Sequence, residues 1–219
     1  MVTMAGWPVV LHLAGRSALV VGGGPVAARR AASLLDAGAA VRVVATTLGE
    51  GLHTLAADPR AAGPLRLDER PYTPADLDGC AVVVVATDDA ALNQRVTQEA
   101  RARGVLVNRA DDPEAGDVSV CAHARHGPIL IAVHTGGHSP AAAAAIRRQL
   151  SAALDSDWMA LLDAVAPYRA QAQAVIADTP VRLRLLQELA SNEAMMTLKT
   201  RGLDQLRQRC ERLLQEAQA

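Results

Sequence analysis

Gly22-Gly23-Gly24-Pro25-Val26-Ala27 fits G-x-G-x-x-A, small residues spaced so that the chain can turn tightly and an anion can approach its backbone. The first glycine permits the turn, the second leaves room for a pyrophosphate, and Ala27 lets a helix pack closely on a strand. The helix that follows points its free N–H groups and the positive end of its dipole at that anion. A structural tight turn could use the same residues, but the apolar run before them and the helical pattern after them favour dinucleotide binding. Gly22, Gly24, Pro25 and Val26 are therefore candidate pyrophosphate contacts. Many NAD enzymes place an acid about 20 residues further on to hold the adenosine ribose. Ala45-Thr46-Thr47 stands there instead, so hydroxyls and backbone groups must hold the sugar, and no arginine follows to take a 2′-phosphate. NAD is favoured over NADP on that ground alone.

Thr87-Asp88-Asp89 follows a valine-rich run, at the sheet edge where open α/β folds bind ligands. Asp89 reads as a helix N-cap and Thr87 as a cofactor contact. The next such edge carries Asn108-Arg109-Ala110-Asp111-Asp112-Pro113. Asp112 belongs to an Asp-Pro turn, whereas Asp111 points into the crevice expected for the nicotinamide. There it can accept a proton as hydride leaves, with a pKa raised by partial burial or by acidic groups on the substrate. His134-Thr135-Gly136-Gly137-His138-Ser139-Pro140 approaches another helix N-terminus, a place to hold an anionic group or simply a loop and cap. Cys121, His123 and His126 have ligand chemistry, but across a strand and turn they need not converge, and no metal site is assigned.

These groups need a scaffold. Ala18–Val21, Val41–Val44, Leu65–Leu67, Ala81–Ala86 and Val105–Val107 read as strands. Helices are expected over Ala27–Ala37, Leu48–Ala57 and Asp89–Arg103, with one helical turn opened by Thr73-Pro74 and closed on Asp76. This alternation predicts right-handed crossovers and a doubly wound, Rossmann-type parallel sheet of the α/β class. Past Asp112-Pro113 the pattern changes. Val118–Ala124 and Ile129–Thr135 read as a β-hairpin turning at Arg125-His126-Gly127-Pro128, and Ser139-Pro140 opens a helix through Ala153. From Asp155 onward the chain reads as all helical, with starts at Asp157 and Thr179-Pro180. Three parts are expected: 1–113, 114–151 and 152–219.

Composition narrows the function classes. The chain has 219 residues, 50% hydrophobic, with a formal charge of -1, which suits a globular protein and gives no steer toward nucleic acid or membrane. It holds no Phe, two Trp and two Tyr, against the stacking platforms of single-strand binders. Cys80, Cys121 and Cys210 are widely spaced and odd in number, so neither a disulfide framework nor structural zinc is expected. The start has no basic n-region and the longest aliphatic run is too short to span a bilayer, pointing to the cytoplasm.

In sequence order, four segments together resemble the precorrin-2 dehydrogenases of siroheme synthesis, including the amino-terminal half of bacterial siroheme synthase. They are Val20-Val21-Gly22-Gly23-Gly24-Pro25-Val26-Ala27, Ala86-Thr87-Asp88-Asp89 with Leu92-Asn93-Gln94-Arg95-Val96, Asn108 with Asp111 and Pro113, and Thr135-Gly136-Gly137-His138-Ser139-Pro140. The resemblance covers about residues 7 to 150. It implies NAD-dependent oxidation of precorrin-2 to sirohydrochlorin, with iron or cobalt insertion at the same site in some members. It also implies a Rossmann domain, a central hairpin-plus-helix dimerisation element and a helical carboxy-terminal region over the tetrapyrrole. Carried over by position, Gly22, Gly24, Pro25 and Val26 meet the pyrophosphate, Thr46 and Thr47 the adenosine side, and Thr87 the nicotinamide side; Asn108 is a further cofactor-binding candidate, and Asp111 matches the essential aspartate. Precorrin-2 is a polycarboxylate, so Arg125, Arg147 and Arg148, with Thr135, Gly136 and Ser139, are candidate substrate anchors. The chain departs from the family at Asp117-Val118-Ser119-Val120-Cys121-Ala122, where an aromatic and a proline are common, and Thr135 stands for a serine. A cytoplasmic NAD-sensing regulatory module is the non-enzymatic alternative. The missing acid after the second strand and the added hairpin count against it.

Overall fold

Valine-rich runs form the inner strands of a parallel sheet. The structure is a computed structural model and describes residues 6–58 and 63–218. In chain order the first part holds β1 (Ser17–Val21), α1 (Pro25–Asp36), β2 (Ala40–Ala45), α2 (Glu50–Ala57), β3 (Leu65–Glu69), a 3-10 turn (Pro74–Leu77), β4 (Cys80–Val85), α3 (Ala90–Ala102) and β5 (Leu106–Arg109). The strands pair in parallel in the order β3-β2-β1-β4-β5. This is the doubly wound α/β sheet expected from the sequence, and its order reverses between β1 and β4.

Side chains alternate across a strand, so each buried strand feeds two cores. Val20, Val43, Val82 and Val84 enter one with Ala27, Ala31 and Leu35 of α1, while Leu19, Val21, Val83 and Val85 enter the other with Val96 and Ala100 of α3. Without phenylalanine, these layers are filled by close approach: Ala27 and Ala31 are fully buried where α1 meets the sheet. At the 3-10 turn Asp76 accepts from the Thr73 N–H, as the capping pattern predicts, and takes a two-pronged bond from Arg70 at 2.6 and 2.9 Å.

A short 3-10 turn (Pro113–Ala115) leads on to β6 (Ala122–His126), β7 (Ile129–Val133), α4 (Pro140–Ala152), α5 (Ser156–Val175), α6 (Thr179–Leu189) and α7 (Asn192–Glu216). The hairpin's first strand starts four residues later than the pattern suggested. Its expected beginning is held by β5 instead: the Asp117 and Val118 N–H groups both donate to the Val107 carbonyl, and Asn108 Nδ2 donates to that of Val118. Pairing of His126 with Ile129 leaves a two-residue turn at Gly127-Pro128, so Arg125 and His126 belong to the strand.

Contacts divide the chain into one compact unit running to Val120 with Gly136–His138, and a second of Cys121–Thr135 and the residues from Ser139. In the second unit α4 packs on both hairpin strands. Ala122, Ala124, His126, Ile129, Ile131 and Val133 are half-buried on the covered face, and Arg125 and Leu130 alternate with them on the exposed one. Helices α5, α6 and α7 enclose Leu161, Leu185, Leu189, Leu206, Cys210 and Leu214. Helix α7 kinks at Gly202, whose φ of 80° and ψ of 178° are reached essentially only by glycine. Lys199, the only lysine, bonds Asp155 at 2.8 Å and lies 3.6 Å from Asp157, tying α7 to the start of α5. Among the described residues no helix is long and apolar enough to cross a membrane.

Candidate functional site

The reversal of strand order opens a cleft at the C-terminal ends of β1, β2 and β4. Its volume is about 760 Å³, and its wall includes Gly22–Val26, Thr46, Thr47 and Thr87. Gly22 turns the chain out of β1 with φ 132°, and a Cβ there would overlap the Ala86 carbonyl at the end of β4. Its N–H continues the β1–β2 ladder to the Val44 carbonyl at 3.0 Å, while the Gly49 N–H donates to Gly23 O at 2.9 Å and pins the threonine loop to the glycine turn. Gly24 caps α1 without any side-chain bond, Pro25 occupies the first turn, and a Cβ on Gly24 would meet nothing within 4 Å. The site therefore has an uncapped helix start, bare backbone facing open space, and room for an extended ligand. A dinucleotide fits it on these features.

Two further wall residues carry no role assigned from the sequence. Tyr72 and Arg95 lie in the same wall. The guanidinium carbon of Arg95 sits 5.8 Å from the ring centroid of Tyr72, whose hydroxyl donates to Glu99 at 2.6 Å. Burial first, then Glu99, pushes the Tyr72 hydroxyl well above its ordinary pKa. The crossover from β3 to β4 brings Tyr72 there, and no local motif signals it.

Asp89 is the N-cap it was expected to be, accepting from Ala91 and Leu92 at 2.9 and 3.0 Å. Thr87 is linked through Asn93 to Asp111. Asn93 is buried, accepts from the Thr87 hydroxyl at 2.5 Å, and donates its amide N–H groups to the Thr87 carbonyl at 2.9 Å and Asp111 Oδ2 at 3.0 Å. Arg109 approaches the same carboxylate side-on, Nε to Oδ1 at 2.8 Å and Nη2 to Oδ2 at 2.6 Å. The expectation that burial raises the Asp111 pKa is overturned: the Arg109 hydrogen bonds, opposed by desolvation and helped by Asn93, hold it far below the usual carboxylate range. Arg109 is correspondingly raised by Asp111. Arg109 and Asn93 stand in segments that the sequence singles out, but no local pattern assigns either of them a role there.

The remaining candidates lie elsewhere. Asn108 is 3% exposed and clamps Val118, and its Oδ1 has no partner among the described residues. The cleft wall includes neither Asn108 nor Asp111. Thr135 and Ser139 close the loop before α4: Ser139 N donates to Thr135 Oγ1 at 3.3 Å, Thr135 Oγ1 to the Ser139 carbonyl at 3.1 Å, and Ala142 N to Ser139 Oγ at 3.1 Å. Gly136, between them, has φ 61°. Arg125 projects from the exposed face of the hairpin, and Arg147 and Arg148 belong to α4, which packs on both hairpin strands. His123 Nδ1 lies 3.2 Å from the Cys121 carbonyl, and no group of three His, Cys, Asp or Glu among the described residues is arranged to hold a metal.

Residues 9–122 match the model of the family described as "Putative NAD(P)-binding". The chain belongs to that family. Its glycine turn, threonine loop and Thr87 edge line the cleft, and the match supports an NAD(P) cofactor. The chain is also similar to "Siroheme synthase" of Pseudomonas fluorescens (strain SBW25), 38% identical over 182 residues, 83% of this chain and 38% of that protein. "Siroheme synthase" of Azotobacter vinelandii (strain DJ / ATCC BAA-1303) is 37% identical over 182 residues, again 83% of this chain and 38% of the relative. The chain thus spans under two fifths of the length of these relatives. Among solved structures, "SirC, precorrin-2 dehydrogenase" shares the fold with a TM-score of 0.70 and 27% identity, over 94% of this chain and 100% of that one.

Proposed function

We propose that this protein oxidises precorrin-2 to sirohydrochlorin with NAD, in siroheme or cobalamin synthesis. The observation that carries this is the Asn93 bridge, which couples Thr87 in the dinucleotide cleft to Asp111, a carboxylate outside its wall. Similarity to a precorrin-2 dehydrogenase over nearly the whole chain supports the choice of substrate. A bound nicotinamide supplies the hydride acceptor that no side chain can provide. Gly22, Gly24, Pro25 and Val26 would hold the pyrophosphate through backbone groups, Thr46 and Thr47 the adenosine ribose, and Thr87 the nicotinamide side. NAD is proposed over NADP because the β2 edge ends in threonines. Thr135, Gly136, Ser139, Arg125, Arg147 and Arg148 would meet the substrate's carboxylates, and the 114–151 element would join two copies into a homodimer. The enzyme would work in the cytoplasm.

NADH formation with precorrin-2 tests this reading directly, because a sensing module binds NAD without turnover. Asp111→Ala is expected to abolish sirohydrochlorin formation while leaving NAD affinity nearly intact; equal kcat in mutant and wild type removes Asp111 from the chemistry. Supplying sirohydrochlorin with ferrous iron or cobalt, without NAD, separates metal insertion from oxidation.

A further inference from the structure

Asp111 is held by three side-chain hydrogen bonds, two of them from a guanidinium. A carboxylate offers about four lone-pair sites. Three are taken, by Arg109 Nε, Arg109 Nη2 and Asn93 Nδ2, which leaves one site on a side chain that is 36% exposed. Arg109 itself is 6% exposed, and its Nη1 lies 3.4 Å from Thr97 Oγ1. Protonating Asp111 would strip the counter-charge from a buried guanidinium. The Asn93 amide is fixed as well: both its hydrogens and its oxygen are engaged, so it cannot flip without losing bonds at both ends.

Building on the dehydrogenase reading, we propose that Arg109 is a positioning residue that, with Asn93, keeps Asp111 permanently ionised, so that Asp111 serves as a fixed negative charge beside the substrate and not as its proton acceptor. Hydride transfer to a bound NAD would take one proton and two electrons from the substrate, reducing the NAD and leaving the substrate positively charged. A rigid anion lowers the energy of that charge-building step. The proton that completes the oxidation then goes to water. Among the described residues the charged groups that act on the pair are Arg109, two residues before Asp111, and Asp112, which acts on Arg109, while α3 presents the neutral Asn93 and Thr97.

The test begins with the cofactor-free protein. Carbon-13 NMR of the Asp111 carboxyl, assigned with Asp111→Asn, is expected to show no titration down to pH 3 in the wild type. In Arg109→Met it is expected to titrate near the ordinary value of about 4, with Arg109→Lys in between. A wild-type midpoint above pH 4 overturns the proposal, and this arm needs no variant of Arg109 to fold. With precorrin-2 and NAD, Arg109→Met is expected to lower kcat roughly 10- to 100-fold through misplacement of the charge, with Arg109→Lys recovering part of the loss and KM for NAD unchanged. Wild-type kcat in folded Arg109→Met also overturns it. Failure of the wild type to form NADH overturns the functional reading itself, whereas an active wild type whose Asp111 titrates above pH 4 overturns only this inference.

Discussion

Gly22 and Gly24 are two residues apart, yet alanine at each should fail differently. At Gly22 the added Cβ sits at φ 132°, overlaps the Ala86 carbonyl oxygen and comes within 2.7 Å of its carbon. Positive φ costs about 1–2 kcal/mol and the forced shift of β4 against the turn about 1–3 more. A total near 3 kcal/mol lowers Tm by about 6–12 °C for a chain of this length. At Gly24 the backbone is extended, with φ −83°, and nothing lies within 4 Å. Gly24→Ala should therefore change stability by less than about 1 kcal/mol. Its methyl group would instead occupy the space in front of the α1 start and push the pyrophosphate away, weakening NAD roughly 10- to 100-fold. At NAD near 100 times the wild-type Kd, the wild type gains about 2.7 kcal/mol. A variant weakened 100-fold gains only about 0.4 kcal/mol on the same relation. Thermal melts with and without NAD read both effects, and calorimetry gives Kd. A Gly24→Ala protein with the full NAD-induced shift, or a Gly22→Ala protein as stable as wild type, refutes the cradle.

Two other perturbations address the scaffold. The Arg70 hydrogen bonds, with help from Thr73, lower the Asp76 carboxyl to about 2. A depressed carboxyl contributes stability above its unfolded pKa of about 3.9 and loses it as pH falls through the folded value, so about 2 kcal/mol should disappear between pH 4 and 2. Denaturant titrations of wild type and Asp76→Asn should converge over that window; a constant gap would remove Arg70–Asp76 as the cause. Gly202→Ala should destabilise the helical unit by about 1–3 kcal/mol, because its dihedrals exclude a side chain, and an unchanged Tm by circular dichroism would show that α7 can straighten without loss.

The sheet was legible because its inner strands are continuous valine runs, and most helix starts because Asp89, Ser139 and Thr179-Pro180 announce themselves locally. The hairpin's first strand was misplaced since Val118 has a strand former's side chain but spends its backbone on β5, a tertiary contact no local pattern encodes. The glycine cradle was visible as a spacing. The Asp111 environment was not: sequence reading gave the carboxylate a desolvated surrounding, when its decisive neighbours are a guanidinium two residues away and an amide delivered by α3. Tyr72 escaped because only the crossover from β3 to β4 brings it to the cleft wall.

The Lys199 bridge also makes the folded chain simple to instrument. With no other lysine, an amine-directed fluorophore has one side-chain target besides the α-amino group. Lys199 sits where α7 meets the start of α5 and is partly exposed, bonded to Asp155. A dye attached there would report the joint between those helices, giving the helical unit an optical signal separate from any nucleotide absorbance in the cleft.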